Sequence, residues 1–137
     1  MSTDTGFINN VHHITLLGKD LDDAIARWRD QLGVLAFQKD EIVSRGVHTA
    51  RFQVGATWIV LVQPVAEGEP MRVLRERGEG LFLLSFGVDD ADLADAHVKA
   101  GGGATTSLRR GLDNWHVFDI EPASLAGSQI QLTEDRC

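Results

Sequence analysis

Two stretches of the chain carry the same order of apolar and polar positions at an offset of 70 residues. HITLLGKDLDDAIARW (13–28) lies over LLSFGVDDADLADAHV (83–98), pairing Thr15 with Ser85, Asp20 with Asp90, Asp22 with Asp92 and Ala24 with Ala94. Each copy opens on an apolar, strand-like run, breaks at aspartates, and continues with apolar residues at helical spacing. Leu21, Ile25, Trp28 and Leu32 form the first helical stripe, and Ala91, Ala94 and Val98 a thinner second one. Asp20 and Asp90 suit the N-cap, where a short carboxylate accepts from free backbone N–H groups of the first turn. QLG (31–33) and AGG (100–102) end the helices with glycine, which tolerates a left-handed cap. Strand-like stretches follow near 34–43, 46–54 and 57–63, and again near 103–108, 115–121 and 128–134. The prediction is a tail over 1–10 and one α+β domain over 11–134. Two βαβββ modules (11–64 and 80–134) make up the domain, joined by a helical linker over 65–79 that Pro70 and Gly78 bracket. One module cannot cover both faces of its sheet, so the two should pair into an open, cupped sheet around a cavity.

Alternation assigns the faces. Ala50, Phe52 and Val54 belong under a helix, which turns Thr49, Arg51 and Gln53 inward. Phe82, Leu84 and Phe86 take the helix side of their strand, leaving Leu83 and Ser85 inward, and Ile130 and Leu132 likewise leave Gln129, Gln131 and Thr133 inward. Ile14 and Leu16 send His13 and Thr15 inward and His12 outward. Strand 57–63 is apolar on both sides, and the repeat places Trp58, Val60 and Val62 on the cavity side. In the segment around WHVFD, either Trp115 and Asp119 face inward or His116 does.

Composition narrows the classes. The chain has 137 residues with a formal net charge of −7, so it lacks the basic face that nonspecific nucleic-acid binding requires. No apolar run approaches the length of a membrane span, and MSTDTGFINN lacks the basic-then-apolar build of a signal peptide, which predicts a cytoplasmic protein. The single cysteine, Cys137, excludes an internal disulfide and a cysteine-based zinc site.

The segments VHHITLLGKDLDDAIARWRDQLG, RGVHTARFQVGATWIVLVQPV, EPMRVLRERGEGLFLLSFGVDD and GSQIQLT resemble, in this order and spacing, the vicinal oxygen chelate (glyoxalase/bleomycin resistance/dioxygenase) superfamily, and within it methylmalonyl-CoA epimerase most. The resemblance implies the two-module fold, a small-molecule ligand and a homodimer. Members of that superfamily that use a metal take one ligand from each of four strands, and the matching positions here are His13, Val60, Leu83 and Gln131. Valine and leucine have no donor atom, so no metal and no cofactor are expected. The epimerases also use two glutamates as acid and base, and those positions read Thr49 and Gln131.

The leading reading is therefore a metal-independent enzyme, an isomerase or lyase, acting on a carbonyl or acyl-CoA-like substrate by proton transfer beside the carbonyl. His13, Arg51, Gln131, His116 and Asp119 are the catalytic candidates. His13, His116 or Asp119 would move the proton. Arg51, with Thr49 and Gln131, would hold the developing oxyanion, unless Arg51 only forms an ion pair with an acid such as Asp119. Thr49, Trp58, Val60, Leu83, Ser85 and Trp115 are the substrate-binding candidates. Arg109 and Arg110 could meet the phosphates of a CoA tail. Two alternatives stand beside this reading: a metal-free protein that sequesters its ligand, as in bleomycin resistance, and a metal-dependent epimerase or lyase with relocated ligands.

Overall fold

Asp20 and Asp90 cap the two helices of the repeat in the same way. Each is extended, at φ −143°, and accepts from a backbone N–H three residues on: Asp23 N at 3.0 Å and Leu93 N at 3.1 Å. The computed structural model describes residues 6–136, so Cys137 and the first five residues of the predicted tail lie outside it. Among the described residues there are eight strands and three α-helices. The first module runs β1 (Asn10–Leu17), α1 (Leu21–Leu32), β2 (Gln38–Ile42), β3 (Val47–Val54) and β4 (Thr57–Pro64). The linker forms α2 (Glu69–Arg77), and then come β5 (Gly80–Gly87), α3 (Ala91–Ala100), β6 (Arg109–Arg110), β7 (Trp115–Ile120) and β8 (Ile130–Asp135). Gly33 takes the left-handed cap of α1 at φ 75°, whereas after α3 it is Gly102, at φ 94°, that turns the chain.

The predicted strand over 103–108 is reduced to a single bridge between Thr105 and Ile120, and regular pairing begins only at Arg109. Gly103 N donates to Val98 O, and Thr106 N to Asp119 O, so this segment is spent on closing the helix end and reaching β7.

Two compact units emerge, and the chain crosses between them inside β1 and β5. The unit over Ile14–Phe82 pairs β2, β3 and β4 antiparallel. Leu21, Ala50, Phe52 and Leu61 form its core, with Leu16, Ile25, Trp28 and Phe37 packed against them. Leu21, Ile25 and Trp28 of the α1 stripe and Ala50 and Phe52 of the strand face go where the pattern assigned them, whereas Leu32 and Val54, expected on the same faces, are exposed. The other unit comprises residues 6–13 and 83–136. There β5 pairs parallel with β8, and β8 and β6 flank β7 antiparallel. Val88, Ala91, Ala94, Phe118, Ile120 and Leu132 make the core beneath α3.

A second capping device repeats between the modules. The side chain of Gln63, on β4, accepts from Leu21 N at 2.8 Å, and Glu134, on β8, accepts from Ala91 N at 2.8 Å. Each tethers the first residue of a helix to the last strand of its own module and satisfies a backbone donor that the helix cannot. A hydrogen bond from Arg136 and the one from Ala91 N–H favour the ionised form of Glu134, holding its pKa below the usual glutamate range against the opposing effect of burial. Because the folded value lies below the unfolded one, the unfolded chain takes up this proton first on acidification. The stabilisation is complete above the ordinary glutamate range and is lost as pH falls through the depressed value. Glu134→Gln keeps an acceptor for Ala91 N–H but removes the charge, so the acid side of its stability curve, measured by urea unfolding, should be flatter than that of the wild type. Equal slopes would contradict this assignment.

Candidate functional site

The face of the 83–136 unit opposite α3 carries buried polar side chains among apolar ones. Parity along β8 puts Leu132 into the core under α3 and turns Gln131 and Thr133 the other way. Register then decides the rest: Asp119 and Ser85 both stand opposite Gln131, and Val117 opposite Thr133. Trp115, Val117 and Asp119 therefore share the face of Gln131. His116 falls on the α3 face, across from Glu134 and beside Phe118, with its Nδ1 3.1 Å from Asn114 O. This resolves the open alternative for β7 in favour of Trp115 and Asp119, and His116 cannot take the place of Asp119.

Gln131 is 5% exposed, and its Nε2 donates to Asp119 Oδ1 at 3.2 Å. A carboxylate can only accept, so this contact fixes the orientation of the amide and leaves Oε1 and the second N–H turned elsewhere. Oε1 is buried and accepts no hydrogen bond from the described residues. The other oxygen of Asp119, Oδ2, meets Arg109 Nη2 at 2.9 Å. Arg109, considered in the sequence only as a contact for phosphate, is thus the counter-ion of this network. Arg110 instead donates to Asp113 O and Asn114 Oδ1. Ser85 and Thr133 are fully buried and their hydroxyls share a 2.6 Å hydrogen bond, so Ser85 supports the face from within. Leu83 is buried beside them.

His13 is 5% exposed and stacks on Trp115, with ring centroids 4.7 Å apart and planes at 17°. The expected outward position of His12 is overturned. Its ring is buried too, set edge-on to Trp115 at 4.6 Å, and the Nδ1 atoms of the two histidines lie 2.9 Å apart. His12 Nε2 reaches Asp135 Oδ2 at 3.2 Å. Strand alternation turned His12 away from His13, but its imidazole gains an indole edge and a carboxylate as partners on this side.

The remaining candidates belong to the Ile14–Phe82 unit. Arg51 is 2% exposed, with Cζ 4.6 Å from the centroid of the Trp58 ring, on the strand face opposite the α1 core. Val60 stands directly across from Arg51 in the β3–β4 ladder. Thr49 is buried, and its hydroxyl donates to Asp40 O at 3.3 Å, which commits it to the backbone of β2.

The donor set does not fit a divalent metal. On this face of the 83–136 unit Leu83 offers no lone pair and the carboxylate of Asp119 is matched by Arg109, which leaves only the neutral donors His13 and Gln131 Oε1, short of the usual ligand count. Among the described residues no three His, Cys, Asp or Glu side chains are grouped to hold an ion. Nor is any helix among them long and apolar enough to cross a membrane.

Comparison with known proteins identifies the family and the fold. The family model described as Glyoxalase/Bleomycin resistance protein/Dioxygenase superfamily matches residues 12–118. The uncharacterized protein YqjC of Bacillus subtilis (strain 168) is 23% identical over 135 residues, which span 94% of each chain. Methylmalonyl-CoA epimerase from Mycobacterium tuberculosis superposes with a TM-score of 0.91 at 27% identity, covering 97% of this chain and 92% of that one. A variant of the Streptomyces coelicolor methylmalonyl-CoA epimerase, in complex with 2-nitronate-propionyl-CoA, gives a TM-score of 0.90 at 22% identity, covering 95% of this chain and 96% of that one, a likeness of fold.

Proposed function

The chain belongs to the glyoxalase/bleomycin resistance protein/dioxygenase superfamily, with the vicinal oxygen chelate fold, and from that premise we propose a metal-independent isomerase or lyase acting beside a carbonyl. The observation that carries the reading is His13, buried with its ring fixed against Trp115 on the polar face that also holds Gln131 and Asp119. In the proposed step His13 takes the proton from the carbon next to the carbonyl. The C–H electron pair becomes the C=C bond of an enolate, and the carbonyl π pair moves onto oxygen. Delivery of a proton from solvent to the opposite face of the enolate completes an epimerisation, while return of the proton from His13 to the same face gives exchange without inversion. The second N–H of Gln131, held in orientation by Asp119 and Arg109, serves the developing oxyanion. The epimerases among the similar structures support a CoA thioester as the first substrate class to test.

The test is wash-out of the α-proton of acyl-CoA thioesters in deuterated buffer, followed by NMR, with protein stripped by chelator. Exchange that needs the protein and survives chelation supports the reading. Exchange that disappears on chelation and returns with a divalent ion overturns it in favour of relocated metal ligands. Binding of the thioesters without exchange favours a sequestering protein. The Arg51 guanidinium already lies over the face of Trp58, which suits an anionic ligand there better than a cationic one.

For Arg51 we propose recognition of an anionic group. Arg51→Met keeps much of the stem and should weaken binding of anionic ligands by roughly 1.5–3 kcal/mol, the range for a hydrogen bond to a charged group. Unchanged affinity in calorimetry would dismiss that role. We further propose a cytoplasmic homodimer, and a sedimentation mass equal to one 15.0 kDa chain at micromolar concentration would contradict the dimer.

A further inference from the structure

An imidazole that donates from one ring nitrogen and accepts at the other has its tautomer set by its neighbours. His12 is held in this way. Its Nε2 lies 3.2 Å from Asp135 Oδ2, and its Nδ1 lies 2.9 Å from His13 Nδ1. An ionised carboxylate can only accept, so the hydrogen of the first contact sits on His12 Nε2. In neutral His12 the Nδ1 is then bare and accepts, and the hydrogen of the second contact belongs to His13 Nδ1. Neutral His13 in turn carries its lone pair on Nε2.

We infer that Asp135 and His12 are positioning residues that fix the tautomer of His13, making Nε2 its basic nitrogen. The relay runs Asp135, His12, His13, with two hydrogen bonds pointing toward the carboxylate. Trp115 packs against both rings. It stacks on His13 with planes at 17° and meets His12 edge-on at 90°, which fixes the plane of each ring, while the two hydrogen bonds choose between its flipped orientations. Asp135 closes the relay from the last residue of β8, with its side chain 35% exposed, so substitution there leaves the core intact. Use of the Nε2 lone pair as a catalytic base rests on the proton-transfer reading above, whereas the tautomer does not.

The experiment reads the tautomer directly and without substrate. Protein labelled with ¹⁵N-histidine, above the imidazole titration range, should show in long-range ¹H–¹⁵N correlation spectra a proton on Nδ1 of His13 and on Nε2 of His12. Asp135→Leu should turn this single pattern into a mixture of tautomers at both residues, and Asp135→Glu should restore it. Wild-type His13 protonated at Nε2 would overturn the inference, as would a pattern unchanged by Asp135→Leu. Where the tautomers are as stated but no thioester exchanges its α-proton, the relay stands and the proton-transfer reading fails.

Discussion

Trp115→Ala will destabilise the fold by roughly 3–5 kcal/mol, the range for removing a large aromatic side chain from a packed interior. Trp115 is 3% exposed, and its indole is the surface on which the rings of both His13 and His12 are laid. Truncation leaves a cavity and also releases two imidazoles whose mutual hydrogen bond depends on being held together. Relaxation cannot fill the space cheaply, because the same residue stands on β7 between the β6 and β8 pairings. Urea unfolding is the measurement. The midpoint should fall with little change in slope, since the area exposed on unfolding is nearly conserved. Trp115→Phe keeps an aromatic face for His13 and should cost distinctly less. A loss below about 1 kcal/mol for Trp115→Ala, the level of ordinary surface substitutions or slightly above it, would show that the histidine pair does not depend on this ring.

Much of this arrangement was legible in the chain, and the remainder was hidden for a definite reason. Helix caps and strand faces are local properties. Asp20 and Asp90 cap where the sequence places them, and Ala50, Phe52 and Leu132 go under their helices by simple alternation. Partners across strands are set by register, which a single sequence does not display. The side chains of Gln63 and Glu134 therefore tether helices that neither touches in sequence, and Arg109 meets Asp119 through the offset of the short β6. The same holds for β7, where a one-residue shift decides whether Asp119 or His116 joins Gln131. A signal existed in that case: Phe118 and Ile120 are the apolar pair of WHVFDI, and both belong under α3. His12 is the exception to alternation, because its side-chain partners Trp115 and Asp135 outweigh the direction that the pleat assigns. The functional likeness was legible as family, while the chemistry had to be sought in departures from it, at Val60, Leu83 and Thr49.

His13→Gln will lower the rate of α-proton exchange by roughly 10²–10⁴-fold if the imidazole is the base, the usual contribution of a positioned proton-transfer group. Glutamine is polar and close in size, so the site beside Trp115 stays filled and can still hydrogen-bond to His12, but the amide does not take up a proton at neutral pH. Loss should appear in kcat and kcat/KM together, with KM nearly unchanged, because the interaction removed is made only as the proton moves. Gln131→Leu should act differently. It removes both the N–H offered to the oxyanion and the donor to Asp119, leaving a carboxylate balanced by Arg109 alone. The expected result is a smaller fall in kcat, near one neutral hydrogen bond of about 1 kcal/mol, with some loss of stability from the altered network. Thermal-shift titration of both variants with the best thioester separates binding from chemistry. A His13→Gln protein that binds as before and exchanges protons at the wild-type rate would remove His13 from the proton path and leave Asp119 as the group to test next.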